Sequence, residues 1–186
     1  RANAIETADT VVLRAEMEEE VEIFFSMSHC TEDNIDPVYI VSGDKGEIEL
    51  CYRGSARVRL RDGSEMMWAS TESEPQVLQN VVQTIAGQST LCCPLALTRA
   101  QTLCASGSFE SSSIHTLPEA ICSTRDGGMR TVDGMRALIQ RAWIEAKLFT
   151  ELGVKWARPG RRIDLIDYTY FPTFRRDIGL VSKVDA

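Results

Sequence analysis

Val11-Val12-Leu13-Arg14-Ala15-Glu16-Met17, followed after an acidic link by Val21-Glu22-Ile23-Phe24-Phe25-Ser26-Met27, is the stretch that decides the fold. Val11, Leu13, Ala15 and Met17 alternate with Val12, Arg14 and Glu16. Val21, Ile23, Phe25 and Met27 alternate in turn with Glu20, Glu22, Phe24 and Ser26. A period of two is what a strand needs when one face packs on a core and the other meets water. The short Glu18–Glu19 link predicts an antiparallel hairpin.

Working outward, Val38 to Val41 reads as a further strand. Ile48, Leu50 and Tyr52 form the inward set of a fourth, and Val58 and Leu60 belong to a fifth among Arg57, Arg59 and Arg61. Gly43-Asp44-Lys45-Gly46 and Asp62-Gly63 supply turns that tolerate positive φ, the second leading to a short strand near Glu65 to Ala69. Strands that follow one another without helices form an antiparallel meander.

After Glu74 the period changes. Val77, Leu78, Val81 and Ile85 share a helical face that Gly87 can end. Pro94 suits the first turn of a second helix carrying Leu97, Ala100, Leu103 and Cys104, which Thr98, Ser106, Gly107 and Ser108 weaken. The strongest periodicity comes later, in Met135, Leu138, Ile139, Ala142, Trp143, Ala146 and Phe149, with Gly153 as terminator. Thr124 to Gly128 reads as a loop, and Ile163 to Phe174 as either an edge strand or a packed tail.

The expected fold is therefore α+β: an open, mainly antiparallel sheet of five to six strands with helices on one face, plus a C-terminal long helix and tail. Residues 1–127 form the sheet-plus-helices domain, and 128–186 pack on it. The other sheet face is a natural place for a second copy, since pairing there would remove Phe24, Val12 and Tyr39 from water.

The 186 residues are 44% hydrophobic and 25% charged, ordinary for a soluble domain large enough to fold without disulfides. The net charge of −7 opposes binding to nucleic acid or an anionic membrane. No basic n-region with an apolar core opens the sequence, and the apolar stretch around Leu91 to Leu97 is too short to span a bilayer. Charge is uneven: Glu16, Glu18, Glu19, Glu20 and Glu22 crowd one hairpin, and Lys155, Arg158, Arg161, Arg162, Arg175 and Arg176 crowd the tail. Such clusters make a solvated, salt-bridged face, or else the basic one meets an anionic ligand or a partner's acidic surface.

Cys30, Cys51, Cys92, Cys93, Cys104 and Cys122 include no C-x-x-C pair, so neither zinc-ribbon nor redox spacing is present. Buried thiols in a reducing cytoplasm are the expectation, with no metal. A hydrolase is not indicated. The two histidines, His29 and His115, come with no G-x-S-x-G elbow, and Ser111, Ser112 and Ser113 lie on the same short stretch as His115. G-x-G-x-x-G and P-loop patterns are also absent. Attention falls on His29, which stands with Cys30, Thr31, Glu32, Asp33 and Asn34 at a polar strand end. It is either a hydrogen-bonded loop histidine or a group reaching a polyol or carbonyl substrate, where His and Thr donate and Glu accepts. His115 and Trp143 read as structural.

The order Ala8-Asp9-Thr10, a hairpin, Val41-Ser42-Gly43-Asp44-Lys45-Gly46-Glu47-Ile48-Glu49-Leu50, then Ile85-Ala86-Gly87-Gln88, Cys93-Pro94-Leu95 and Phe109-Glu110-Ser111-Ser112 resembles the C-terminal domain of the Gfo/Idh/MocA oxidoreductases. That family groups glucose–fructose oxidoreductase, inositol dehydrogenase and rhizopine-catabolism relatives. The similarity spans roughly residues 5 to 122 and weakens from Gly128.

The resemblance implies a sheet that supports homo-oligomer contacts and forms one wall of the site for a small sugar-like substrate. It also implies an N-terminal Rossmann domain that holds NAD or NADP and is missing from this chain. The family's catalytic Lys, in a Glu-Lys-Pro segment, and its Asp/His helix residues fall outside this sequence, so no catalytic role is carried over. His29, Thr31 and Glu32 remain the substrate-side candidates. The expected function is the substrate-binding and oligomerising part of a cytoplasmic NAD(P)-dependent oxidoreductase, inactive alone and holding no cofactor itself. The alternative is a stand-alone assembly module.

Overall fold

The computed structural model describes residues 1–52, 54–69 and 74–169. The chain is α+β and divides into two compact units, Arg1–Asp33 with Leu95 onward, and Asn34–Pro94.

In the first unit, β1 (Thr10–Glu16) and β2 (Glu22–Ser28) pair antiparallel, with Leu13 opposite Phe25 and Arg14 opposite Phe24. A single 3-10 turn over Glu18–Glu20 joins them. The face expected to point inward instead points out: Ile23 and Phe25 are exposed, while Val12 and Phe24 pack against the core. Both rows of β2 carry a large apolar residue, so alternation alone left the direction open. Val12 and Phe24 therefore do not belong to an uncovered face.

The core of this unit is built from Ala2, Cys30, Leu117, Val132, Met135, Ala142 and Phe149. Phe149 meets Trp156 edge to face, 5.4 Å between ring centres. Edge-to-face contact places the positive ring edge of one aromatic against the negative face of the other. Trp143, expected in the core, is 41% exposed, and the half-buried Trp156 is the indole that packs against the core in its place.

In the second unit the strands expected around Val38 to Val41, Ile48 to Tyr52, Val58 to Leu60 and Glu65 to Ala69 all form. They are β3 (Val38–Ser42), β4 (Gly46–Cys51), β5 (Ala56–Leu60) and β6 (Glu65–Trp68), paired antiparallel in that order. The six strands read from sequence thus belong to a two-stranded and a four-stranded sheet rather than one. α1 (Glu74–Ile85) follows, and Gly87 closes it at φ 72°.

α2 (Leu95–Ser111) belongs to the first unit and runs through its weak residues, because Gly107 lets the chain approach. A Cβ at Gly107 would lie 2.9 Å from the side chain of Leu165. Two short strands not expected from sequence, β7 (Cys122–Thr124) and β8 (Arg130–Val132), pair across the boundary drawn at residue 127. Asp126-Gly127-Gly128 is their turn, with both glycines at positive φ.

α3 (Met135–Glu145) stops before Phe149 because Ala146 enters the left-handed region at φ 47°. Residues 163–169 are in neither helix nor strand; the rest of the aromatic stretch, with Arg175 and Arg176, lies outside the described residues. Among the described residues no helix is long and apolar enough to cross a membrane.

Candidate functional site

The three sequence-predicted residues lie on the loop that leaves β2, and each is placed differently. His29 donates its backbone N–H to the carbonyl of Asp9 at 2.7 Å, and its side chain is exposed. Thr31 turns back on the loop, its hydroxyl donating to the carbonyl of Asp33 at 2.8 Å. Glu32 reaches across to the start of α3, where Oε1 accepts the N–H of Gly134 at 2.7 Å and Oε2 that of Arg136 at 3.3 Å.

The first N–H groups of a helix have no partner within it, and a carboxylate satisfies them and complements the helix dipole. Gly134, at φ 72°, has no side chain to cap α3, so Glu32 does so from 102 residues away. Burial acts first on Glu32 and raises its pKa, but the backbone N–H groups outweigh it and hold the carboxyl below the usual range. Asp33 pairs with the guanidinium of Arg136 next door.

Beneath the loop lies a buried polar node that the sequence reading missed. Oδ2 of Asp9, 1% exposed, accepts the N–H groups of Ala2 and Asn3 at 2.9 and 2.8 Å and the Asn3 side-chain amide at 3.0 Å. The same amide donates to Sγ of Cys30 at 3.4 Å, while Asn3 Oδ1 accepts the N–H of Arg130. The carbonyl of Cys30 accepts the N–H of Val132.

Burial is the largest influence on Asp9 and pushes its pKa up, yet the hydrogen bonds from Asn3 and Cys30 win and it lies below the ordinary value. Burial, then the charge of Asp9, raises the Cys30 thiol, so it is a poor nucleophile. This node fixes the strand end from which His29 projects. The sequence signal was an aspartate directly before the first apolar alternation, in Ala8-Asp9-Thr10.

Elsewhere in this unit, His115 Nε2 lies 3.1 Å from the carbonyl of Trp156. The acidic and basic clusters meet where Arg162 donates to Glu16 at 2.6 Å. Arg161 is tied to α2, its Nε donating to the Glu110 carbonyl and its N–H to that of Ser111. Among the described residues no three potential metal-ligating side chains cluster. The expectation of buried thiols holds only for Cys30: Cys51, Cys104 and Cys122 are half-buried, and Cys92 and Cys93 are exposed.

The second unit presents a sheet of sharply divided character. In register, Tyr39, Leu50, Ala56 and Trp68 form one cross-strand row and Val41, Ile48, Val58 and Met66 the next, on the same face. The opposite face carries Ser42, Glu47, Arg59 and Glu65 in one row and Ile40, Glu49, Arg57 and Met67 in the other. Its charges neutralise one another through Arg59 with Glu47 and Glu65, and Arg57 with Glu65. The apolar face is exposed: Tyr39 is 58%, Val41 57% and Trp68 51% accessible.

A shallow concavity of about 280 Å³ beside the β3–β4 turn is lined by Ser42, Gly43, Glu47, Arg59 and Arg61. Glu47 neutralises Arg59 there, and Arg61 is spent on the carbonyl of Gly43 at 3.0 Å. No family model, curated protein or solved structure matches the chain.

Proposed function

We propose that the chain is the substrate-binding and oligomerising part of an NAD(P)-dependent oxidoreductase acting on a sugar, cyclitol or related polyol, and that copies assemble through the apolar face of β3–β6. The observation that carries this reading is the sidedness of that sheet. Eight apolar side chains in two adjacent rows are turned to one side, and the charged partners are paired on the other. Removing apolar surface from water releases roughly 25 cal/mol per Å², so a patch of this kind favours a partner with a matching face. A second copy supplies one by symmetry.

The resemblance in the order of strand, turn and helix motifs supports the division of labour. A nucleotide-binding domain would carry the redox chemistry, while this chain shapes the substrate site and holds the assembly together. Glu32 then positions the loop through α3, and the exposed His29 is the group offered to a hydroxyl or carbonyl oxygen.

Sedimentation of the chain tests the assembly. A dimer or larger species is expected, and the double substitution Val41→Glu with Leu50→Glu should give a monomer with unchanged circular dichroism. A wild-type chain that stays monomeric at high concentration would remove the basis of the proposal.

The same sheet also fits a stand-alone assembly module without a substrate. Saturation-transfer NMR against a panel of sugars and cyclitols separates the two readings. Binding that His29→Ala weakens supports the substrate role, and no binding by an assembled chain supports the module.

A further inference from the structure

We propose that Cys92 and Cys93 are a redox-responsive dithiol, closing reversibly to a vicinal disulfide by exchange with a small-molecule disulfide. Access singles them out: both are exposed, whereas Cys30 is buried and Cys51, Cys104 and Cys122 are half-buried. Thiol–disulfide exchange requires the sulfurs to be reachable, so this pair reacts before the other four.

Adjacency supplies the second step. In the first, the Cys92 or Cys93 thiolate attacks one sulfur of the disulfide RSSR. A mixed disulfide forms and RS⁻ leaves, taking up the proton the cysteine lost. The neighbouring thiolate then attacks the cysteine sulfur of that mixed disulfide and expels the second RSH. The two cysteines are oxidised by two electrons, RSSR is reduced to two thiols, and a Cys92–Cys93 bond is made. Because the second thiol is held one residue away, its attack is intramolecular and outpaces another molecule of oxidant.

The pair sits outside regular structure. Residues 91–94 are in neither helix nor strand. One side chain, Asn80 of α1, fastens the preceding loop: its amide donates to Thr90 O at 2.9 Å, and its Oδ1 accepts the N–H of Cys92 at 3.0 Å. Adjacent Cα atoms are about 3.8 Å apart across a trans peptide. Ordinary disulfides span roughly 4.4–6.8 Å, so the closed ring is strained and readily reduced. Strained, exposed disulfides are the labile kind that respond to redox conditions.

The test uses the intact chain and bis(2-hydroxyethyl) disulfide, a neutral probe that the net negative charge does not repel. Mass spectrometry should show the chain lighter by two hydrogens, the loss located in the peptide holding Cys92 and Cys93 and reversed by dithiothreitol. Cys92→Ser and Cys93→Ser should each stop at a single stable mixed disulfide. Stable adducts on both cysteines of the wild type, first reaction at Cys51, Cys104 or Cys122, or no reaction would each overturn the proposal.

Discussion

Arg14 on β1 holds Glu151 in a two-pronged grip: Nη1 donates to Oε1 and Nη2 to Oε2, each at 3.1 Å. Nη2 also donates to the carbonyl of Ala146 at 2.7 Å, where α3 ends in the left-handed conformation. Glu151 in turn accepts the N–H of Leu148 at 2.7 Å. One guanidinium therefore fixes the hairpin, the helix end and the turn that follows, a task that suits its rigid planar fork.

Arg14→Lys should lower the melting temperature, and Arg14→Ala should lower it further, since an ammonium cannot form both parallel bonds. The hydrogen bond from Arg14, followed by that from Leu148, holds the Glu151 carboxyl below the usual carboxylate range. A depressed pKa means the contribution is complete above the ordinary glutamate value and disappears as pH falls through the folded one. Carbon-13 NMR of Glu151 should show low titration in the wild type and a return toward the ordinary value in Arg14→Ala. Ordinary titration in the wild type would show that the grip is absent in solution.

The trans-cap formed by Glu32 makes a different demand. Glu32→Ala leaves two N–H groups at the start of α3 without their acceptors, which should cost about 1 kcal/mol, the usual worth of a helix cap. Glu32→Gln keeps one acceptor oxygen and should cost less. Urea unfolding measures both, and unchanged stability in Glu32→Ala would show that the cap does not hold in solution.

Asp9→Ala should cost about 1–3 kcal/mol, because the N–H groups of Ala2 and Asn3 and the Asn3 amide lose their acceptor in a buried place. Asp9→Asn, retaining a carbonyl oxygen, should be milder. Asp9 lies below the ordinary aspartate value, so its contribution is present above about pH 4 and is lost below it. A wild-type stability curve that falls on acidification and flattens in Asp9→Asn is the expected result. Parallel curves for the two proteins would place the acid sensitivity elsewhere.

Much of this architecture is legible in the chain because strand alternation is a local property. The turns at Gly43–Gly46 and Asp62–Gly63 and the stop at Gly87 are written in residues that tolerate positive φ. Other features escaped for physical reasons. Val12 and Phe24 give the hairpin apolar residues on both faces, so packing against a distant core chose the direction. Ala146 ends α3 without the glycine that marks such ends, supported by Arg14 from β1. The polar end of β2 is visible in the sequence, whereas the use of Glu32 to cap α3 depends on a partner 102 positions away.

Gly46 offers a sharp test of the four-stranded sheet. It opens β4 at φ 154°, opposite Leu60, and a Cβ built there would lie 2.2 Å from the carbonyl oxygen of Arg59. That neighbour is backbone and cannot swing aside. Gly46→Ala should therefore destabilise the protein by about 1–3 kcal/mol, the usual range for forced overpacking. Gly43→Ala, where a Cβ meets nothing within 4 Å, serves as the control. Equal stability of the two variants would mean that β4 and β5 are not in the register described.

The proposed assembly has a spectroscopic signature in Trp68, which is 51% exposed on the apolar row with Tyr39, Leu50 and Ala56. If copies pair through that face, its indole leaves water as concentration rises, and the emission should shift to shorter wavelength. Trp143 and Trp156 belong to the other unit. Trp68→Phe keeps an aromatic side chain in the row and should remove the concentration-dependent part of the shift while sedimentation still reports association. A shift that survives in Trp68→Phe would locate the contact elsewhere, and emission that never changes while the chain associates would exclude the β3–β6 face as the interface.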